Sequence, residues 1–459
     1  MDNILRYIKD NETRYLDELK DFLAIPSVST NVEDKPHMER CARWITAHLK
    51  NIGLENIQIF PTAGHPIVYA DWLHAPEKPT LLIYGHYDVQ PAEPLELWIS
   101  PAFEATIRDG NLYARGASDD KGQVFIHFKG IEAFIKNNGA LPINIKLILE
   151  GEEEIGSEHL EPFINDHRDL LGADLILISD TSMFARGVPS VCYGLRGLSY
   201  MQIDLVGPNK DLHSGSYGGS VHNPIQALSE IIAQLHNKNG QIAIPGFYDD
   251  VRKLTSKERA AFKKLPWSDK KFAGELGIKE LYGEKGFTTL ERLWARPTLE
   301  CNGIWGGFTD EGAKTVLPSK ASAKISMRLV PDQKPEKVSK LFEKHIKKIM
   351  PKSVTATVRN LHGGEPALTP IDSPGVRTAV AALEKGFGKK PLYQREGGSI
   401  PIVVQFKKLL GIDSVLLGFG LPDENAHAPN EFIHLENFFG GVRTVAHFYN
   451  ELPNFMRKK

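Results

Sequence analysis

Between about residue 55 and residue 190, short apolar runs alternate with helical stretches, and this alternation constrains the fold more than any other feature of the chain. IVYADWL, TLLIYGHYDV, INIKLILEGEEE and ADLILISDT read as strands, and an unbroken apolar string such as LLIY suits a strand buried on both faces. The stretches between them, GQVFIHFKGIEAFIKNNG and SEHLEPFINDHRDLL, carry helical spacing. Strand and helix in turn predict an α/β fold, a mostly parallel sheet covered by helices. In such a sheet the crevice that receives a ligand lies at the carboxyl ends of the strands.

Around residue 195 the pattern changes. GLSYMQIDLVG and SKASAKISMRLVP alternate apolar and polar positions, as half-exposed antiparallel strands do, and the helices NPIQALSEIIAQLHNKNG and PEKVSKLFEKHIKKIM lie between them and a further strand, SVTATVRNL. These elements predict a small α+β sandwich with one wet sheet face. Residues 245 to 300 are charged and aromatic and read as an insertion or long loops. After about residue 368 the α/β pattern returns, so the simplest organisation is one domain in two parts, 1–194 and 368–459, interrupted by a second at 195–367. A length of 459 residues accommodates this division. At the start, Ile4, Leu5, Ile8, Leu16, Leu19, Phe22 and Leu23 recur at helical spacing and predict a surface helix, neither a signal peptide nor a membrane span.

Charge narrows the partners. Lys plus Arg number 55 against 57 Asp plus Glu, a formal net charge of -2, so no global field attracts nucleic acid or an anionic membrane. Cys41, Cys192 and Cys301 are odd in number, far apart and in no Cys-x-x-Cys spacing, which fits a reducing, cytoplasmic compartment.

The strand ends carry the chemistry. His86 and Asp88 come after LLIYG two positions apart, on the same side of a strand. Asp119 and Asp120 sit in the Gly-rich turn ARGASDDKG, where an N-capping role is the plain alternative. Glu152, Glu153 and Glu154 come after the strand LILEG, Asp180 after LILIS, and His427 lies in the loop after VLLGFG. Taken singly, a triple glutamate is a solvated charge run and a loop histidine is merely exposed. Taken together, at least four strand ends deliver oxygen or imidazole to one edge, and packing so many carboxylates without a cation would raise their pKa values and cost stability. A divalent metal pair removes that cost. Imidazole and carboxylate with no cysteine nearby suit zinc, and manganese or cobalt nearly as well.

The words GHYDVQP, ARGASDDKG, EGEEEIGS, SDT, DLHSG, REGGSIP and NAHAPNE, in this order along almost the whole chain, resemble the di-zinc exopeptidases of the aminoacylase and carnosinase type, most closely the cytosolic non-specific dipeptidases. The resemblance implies that His86 and Asp180 bind one metal, that Glu154 and His427 bind the other, and that Asp119 bridges the two. It implies that Asp88 orients His86, that Glu153 is the general base toward a metal-bridged hydroxide, and that the peptide after Asp119 is cis. It further implies a homodimer in which the inserted domain is a lid and dimerisation domain, with His213 reaching into the neighbouring subunit's site. Arg328 and Ser399, with Thr315 nearby, match positions that hold the carboxylate of a dipeptide substrate. An N-acyl amino acid amidohydrolase of the same fold is the near alternative, and a non-catalytic metal-binding scaffold the distant one.

Overall fold

The computed structural model describes residues 1–398 and 400–456. The chain divides into two compact units, one formed by Met1–Tyr193, Thr369–Gln394 and Gln405–Lys459, the other by Gly194–Leu368 and Arg395–Val404.

The first unit is built on a mixed sheet whose order is Glu55–Phe60, Ile67–Trp72, Asn144–Glu150, Thr80–His86, Leu175–Ile178, Ser414–Leu416 and Ser190–Leu195. Asn144–Glu150, Thr80–His86, Leu175–Ile178 and Ser414–Leu416 run parallel at its centre, while the flanking strands pair antiparallel. The parallel strands are the ones written as unbroken apolar runs. Leu81, Leu82, Ile83, Leu147, Ile148, Ile176 and Leu177 are all buried, because helices cover both faces. Helix Lys121–Asn138 packs against the long C-terminal helix Leu435–Phe455 through glycine. A Cβ on Gly130 would stand 2.5 Å from Val445, and one on Gly441 2.7 Å from Ile126, so any larger residue would force the two helices apart.

Two helices expected to be continuous are broken. The N-terminal stretch forms Asp2–Asp10 and Glu12–Leu23. Asn11 separates them and turns its own side chain back to the Tyr7 carbonyl at 2.8 Å, a local bond that competes with the helical ladder. SEHLEPFINDHRDLL likewise becomes Leu160–Asp166 and Arg168–Leu171, with His167 between them.

The second unit contains a four-stranded antiparallel sheet ordered Thr298–Gly306, Lys320–Leu329, Gly197–Val206 and Thr355–Gly364. Met201, Ile203 and Leu205 enter its core with Ile325, Phe342 and Ile346, whereas Tyr200 and Asp204 on the alternate positions stay half-exposed. Helices Pro224–Ala233 and Pro335–Ile349 pack on the sheet. The 245–300 segment is more regular than long loops. It holds helices Ser256–Lys263, Asp269–Glu275 and Thr289–Ala295, and capping boxes at Thr255/Glu258 and Thr288/Glu291 open the first and last.

Candidate metal centre

Parallel register brings the predicted ligands of the first unit to one edge. His86 is the last residue of its strand and stands opposite Glu150, so the glutamates just after Glu150 emerge beside it. Asp180 lies two residues past Leu175–Ile178, and Asp119 closes the turn that leads into helix Lys121–Asn138. His427 sits in the loop after Ser414–Leu416 with a left-handed φ of 62°.

Two ligand sets result, His86–Asp119–Asp180 and Asp119–Glu154–His427, each with its donor atoms within 4.8 Å of one another. His86 Nε2 is 3.2 Å from Asp119 Oδ1 and 3.9 Å from Asp180 Oδ2. His427 Nε2 is 2.9 Å from Asp119 Oδ2 and 3.3 Å from Glu154 Oε2. Asp119 therefore gives one carboxylate oxygen to each set.

The atoms in these sets suit cations. His86 Nε2 and Glu154 Oε1 are buried with no hydrogen-bond partner, as ligand atoms facing a metal are. Burial, and then the Asp119 carboxylate, pushes Asp180 up to about 7. Burial raises Glu153 well above the carboxylate range, with Asp180 and Asp119 adding to it against His86. Asp119 is held below its ordinary value despite burial by the neighbouring imidazoles of His427 and His86, and His427 is pushed up to about 10 by Asp119 and Glu154. Left to itself, this cluster balances its charge only by holding protons; divalent cations would replace them. Nitrogen and carboxylate donors without sulfur fit two such ions.

The surrounding bonds sort the acidic residues by task. Asp88 is fully buried, its main-chain carbonyl 3.1 Å and its Oδ1 3.3 Å from His86 Nδ1, which fixes the ring with Nε2 toward the site. The same carboxylate accepts the amides of Glu153 at 3.3 Å and Glu154 at 3.1 Å. Glu152 turns away, accepting from His65 N at 2.9 Å and meeting His159 Nδ1 at 2.8 Å. The triple glutamate thus leaves its last two members for the site. Gln90 donates to Glu154 Oε2 at 2.7 Å, and the Asp119–Asp120 peptide is cis. Glu431 and Glu424 went unassigned in the sequence. Both are buried, and both bind the turn that carries Asp119.

A third set, Glu18, His48 and Glu132, also brings ligand atoms together. Lys129 Nζ already occupies it, bonded to Glu18, to Glu132 at 2.8 Å and to His48 at 3.1 Å. An ammonium there takes the place of a metal.

In the second unit, His213 and Thr315 lie side by side. Leu212–His213 pairs with Val316–Leu317, and Ser214 donates its amide to the Thr315 carbonyl at 3.0 Å. His213 is exposed, and its Nδ1 accepts from Gly215 N at 3.1 Å. Arg328 is half-buried in strand Lys320–Leu329, opposite Thr298 on one side and Leu198 on the other, and burial lowers its pKa. Ser399 lies outside the described residues.

Carboxylates and imidazoles gathered at the strand ends of a mixed α/β sheet define a metal-dependent hydrolase. Residues 82–451 match peptidase family M20/M25/M40, and the chain belongs to that family. It is 33% identical over 469 residues to the Cys-Gly metallodipeptidase dug1 of Schizosaccharomyces pombe, covering 99% of this chain and 98% of that protein. Human carnosine dipeptidase 1 shares the fold with a TM-score of 0.85 at 30% identity, over 99% of this chain and 98% of its own. The M20 family metallo-carboxypeptidase Sso-CP2 of Sulfolobus solfataricus has a TM-score of 0.84 at 36% identity, over 96% and 99% of the two chains. The protein is a metallopeptidase.

Proposed function

We propose that this enzyme is a cytoplasmic homodimer that hydrolyses dipeptides with two divalent ions, zinc in first place and manganese or cobalt in second. The observation that carries the reading is the shared carboxylate, Asp119 Oδ1 toward His86 and Oδ2 toward His427. In this reading His86 and Asp180 would hold one ion and Glu154 and His427 the other, with Asp119 offering one oxygen to each. When bound, the ions supply Lewis-acid polarisation of the scissile carbonyl and acidify the attacking water. Glu153 takes that water's proton and returns it to the leaving amine. Asp88 holds both the His86 ring and the amides of Glu153 and Glu154, so ligand and base keep a fixed spacing. Arg328, with Ser399 and Thr315, receives the free carboxylate of the substrate, for which a guanidinium fork is the matching donor. His213 of a second copy stabilises the developing oxyanion.

A dipeptide substrate is supported by the relatives named for Cys-Gly and carnosine hydrolysis. The 36% identity to a metallo-carboxypeptidase supports a second reading, removal of the last residue from longer peptides. One panel separates these: Cys-Gly, β-Ala-His, a pentapeptide and N-acetyl amino acids, assayed after chelation and after re-addition of zinc or manganese. Metal-dependent cleavage of the dipeptides with little turnover of the pentapeptide supports dipeptidase action. Equal turnover of the pentapeptide moves the function to a carboxypeptidase, and turnover of the N-acyl compounds alone to an amidohydrolase.

A further inference from the structure

We propose that Glu424 and Glu431 are positioning residues that clamp the loop carrying His427 onto the turn carrying Asp119, so that the set Asp119–Glu154–His427 is preformed before an ion enters. The inference rests on the ligand assignment given under Proposed function.

Glu431 is fully buried. Its Oε1 accepts the amides of Ser118 at 2.9 Å and Asp119 at 3.0 Å, and its Oε2 accepts Gly116 N at 3.0 Å and Arg115 Nη1 at 2.7 Å. Glu424, also buried, takes the Ser118 hydroxyl at 2.6 Å and Leu421 N at 2.9 Å on Oε2, and His434 N at 2.9 Å on Oε1. His427 lies three residues after Glu424 and four before Glu431. Both ends of its loop are therefore tied to the one short segment 115–119, and Ser118 is bound by both carboxylates.

The tie continues a local sheet. Asn111–Tyr113 pairs antiparallel with Phe432–His434, and Ala114 donates to the Glu431 carbonyl at 3.1 Å, so the two segments enter the site already aligned. Between the clamps, Asn425, His427 and Asn430 have φ of 54°, 62° and 61°, a left-handed backbone that a free loop would leave. Asn430 holds the loop's outer side, donating to Leu97 O at 2.8 Å and accepting from Ile99 N at 2.8 Å.

Acceptor-only side chains are required here, because every group facing these two carboxylates is a donor. Glutamine at either position would set an amide N–H against another donor. With Asp119's backbone amide engaged by Glu431, its side chain stays directed at the two imidazoles.

The test uses metal-free protein titrated with zinc against a chromogenic chelator, giving the stoichiometry and affinity of each site without reference to activity. Wild type takes up two ions. Glu431→Gln and Glu424→Gln each weaken the Asp119–Glu154–His427 site by about 10–100-fold, the size of effect expected for groups that orient ligands, and weaken the His86–Asp119–Asp180 site, which shares only Asp119 with the clamped turn, by less. Glu132→Gln, which disrupts an equally buried carboxylate bound to Lys129 and Arg14, lowers thermal stability yet keeps both affinities. Far-UV circular dichroism and metal-free unfolding confirm which variants fold. If Glu431→Gln does not fold, Glu424→Gln and Ser118→Ala carry the test with the same larger loss at the His427 site expected. Folded clamp variants whose two affinities both lie within about 3-fold of wild type overturn the proposal. A wild-type protein that binds two ions but cleaves no dipeptide refutes the dipeptidase reading and leaves the clamp standing.

Discussion

Replacing Asp88 by asparagine isolates the part of the site that aims Glu153, the proposed base. The carboxylate is fully buried and serves three donors, with Oδ1 at 3.3 Å from both His86 Nδ1 and Glu153 N, and Oδ2 at 3.1 Å from Glu154 N. An amide retains one oxygen. If that oxygen stays toward His86 and Glu153, the new NH2 faces the Glu154 amide, and a buried N–H left unpaired costs about 1–3 kcal/mol. Loss of the charge-assisted contact to His86 adds about 1 kcal/mol. The sum, about 3 kcal/mol, is a cost to the folded site that is relieved by letting the Glu153–Glu154 turn shift, and a misplacement of about 1 Å in the proposed base corresponds to a roughly 100-fold lower kcat. KM should change little, because the groups proposed to hold the substrate carboxylate are elsewhere in the chain. Metal at His86 should remain, since the Asp88 main-chain carbonyl at 3.1 Å still fixes the ring. Steady-state kinetics on Cys-Gly, paired with elemental analysis of bound metal, reads all three quantities. A variant within about 3-fold of wild-type kcat, or one fully restored by excess metal, refutes the reasoning.

Four further outcomes are expected. Glu153→Gln keeps both ions but loses about 10²–10⁴-fold in kcat, and wild-type-like turnover would remove it as the base. Mixing Glu153→Ala with His213→Ala, each inactive alone, should restore about a quarter of wild-type activity if sites are shared across a two-fold dimer, whereas no recovery would place His213's action within its own chain or outside catalysis. Gly122→Ala would put a Cβ 1.9 Å from the Ala117 carbonyl, in the turn that carries Asp119, so it should lower both Tm and metal affinity, and an unchanged Tm would contradict the packing described. Burial lowers His127 to about 3, so from about pH 6.5 downward the unfolded chain takes up a proton that the fold excludes. Stability should then fall with pH in that window, by up to about 1.4 kcal/mol per pH unit from this group, and urea unfolding of metal-free His127→Phe should show a flatter slope than wild type; an equal slope would count against it.

The positions of His86 and Asp180 were legible because an unbroken apolar run marks a central strand, and neighbouring parallel strands bring the residues at their carboxyl ends to one edge. Local pattern alone showed the triple glutamate only as a cluster, and the family resemblance was what assigned its last two members. Residues in a short loop have no periodicity, and the bonds of Glu152 to His65 and His159 give the physical reason that the first carboxylate turns back. Glu424 and Glu431 were beyond the reach of local pattern, since their partners lie some 300 positions earlier in the chain. Asn11 shows a propensity argument overruled, because helical spacing continues through it while a single side-chain bond ends the helix. The helices between 245 and 300 did leave a signal. Thr255 and Glu258, like Thr288 and Glu291, stand three apart as capping boxes, but the segments they open are too short and polar for a hydrophobic period to register.

The proposed two-ion centre with Asp119 shared is the feature on which the rest depends, and anomalous diffraction at the zinc edge from crystals grown with zinc tests it most directly. Two peaks are expected, one among His86, Asp119 and Asp180 and the other among Asp119, Glu154 and His427. A single peak, or a peak at Glu18, His48 and Glu132 in place of these, would contradict it.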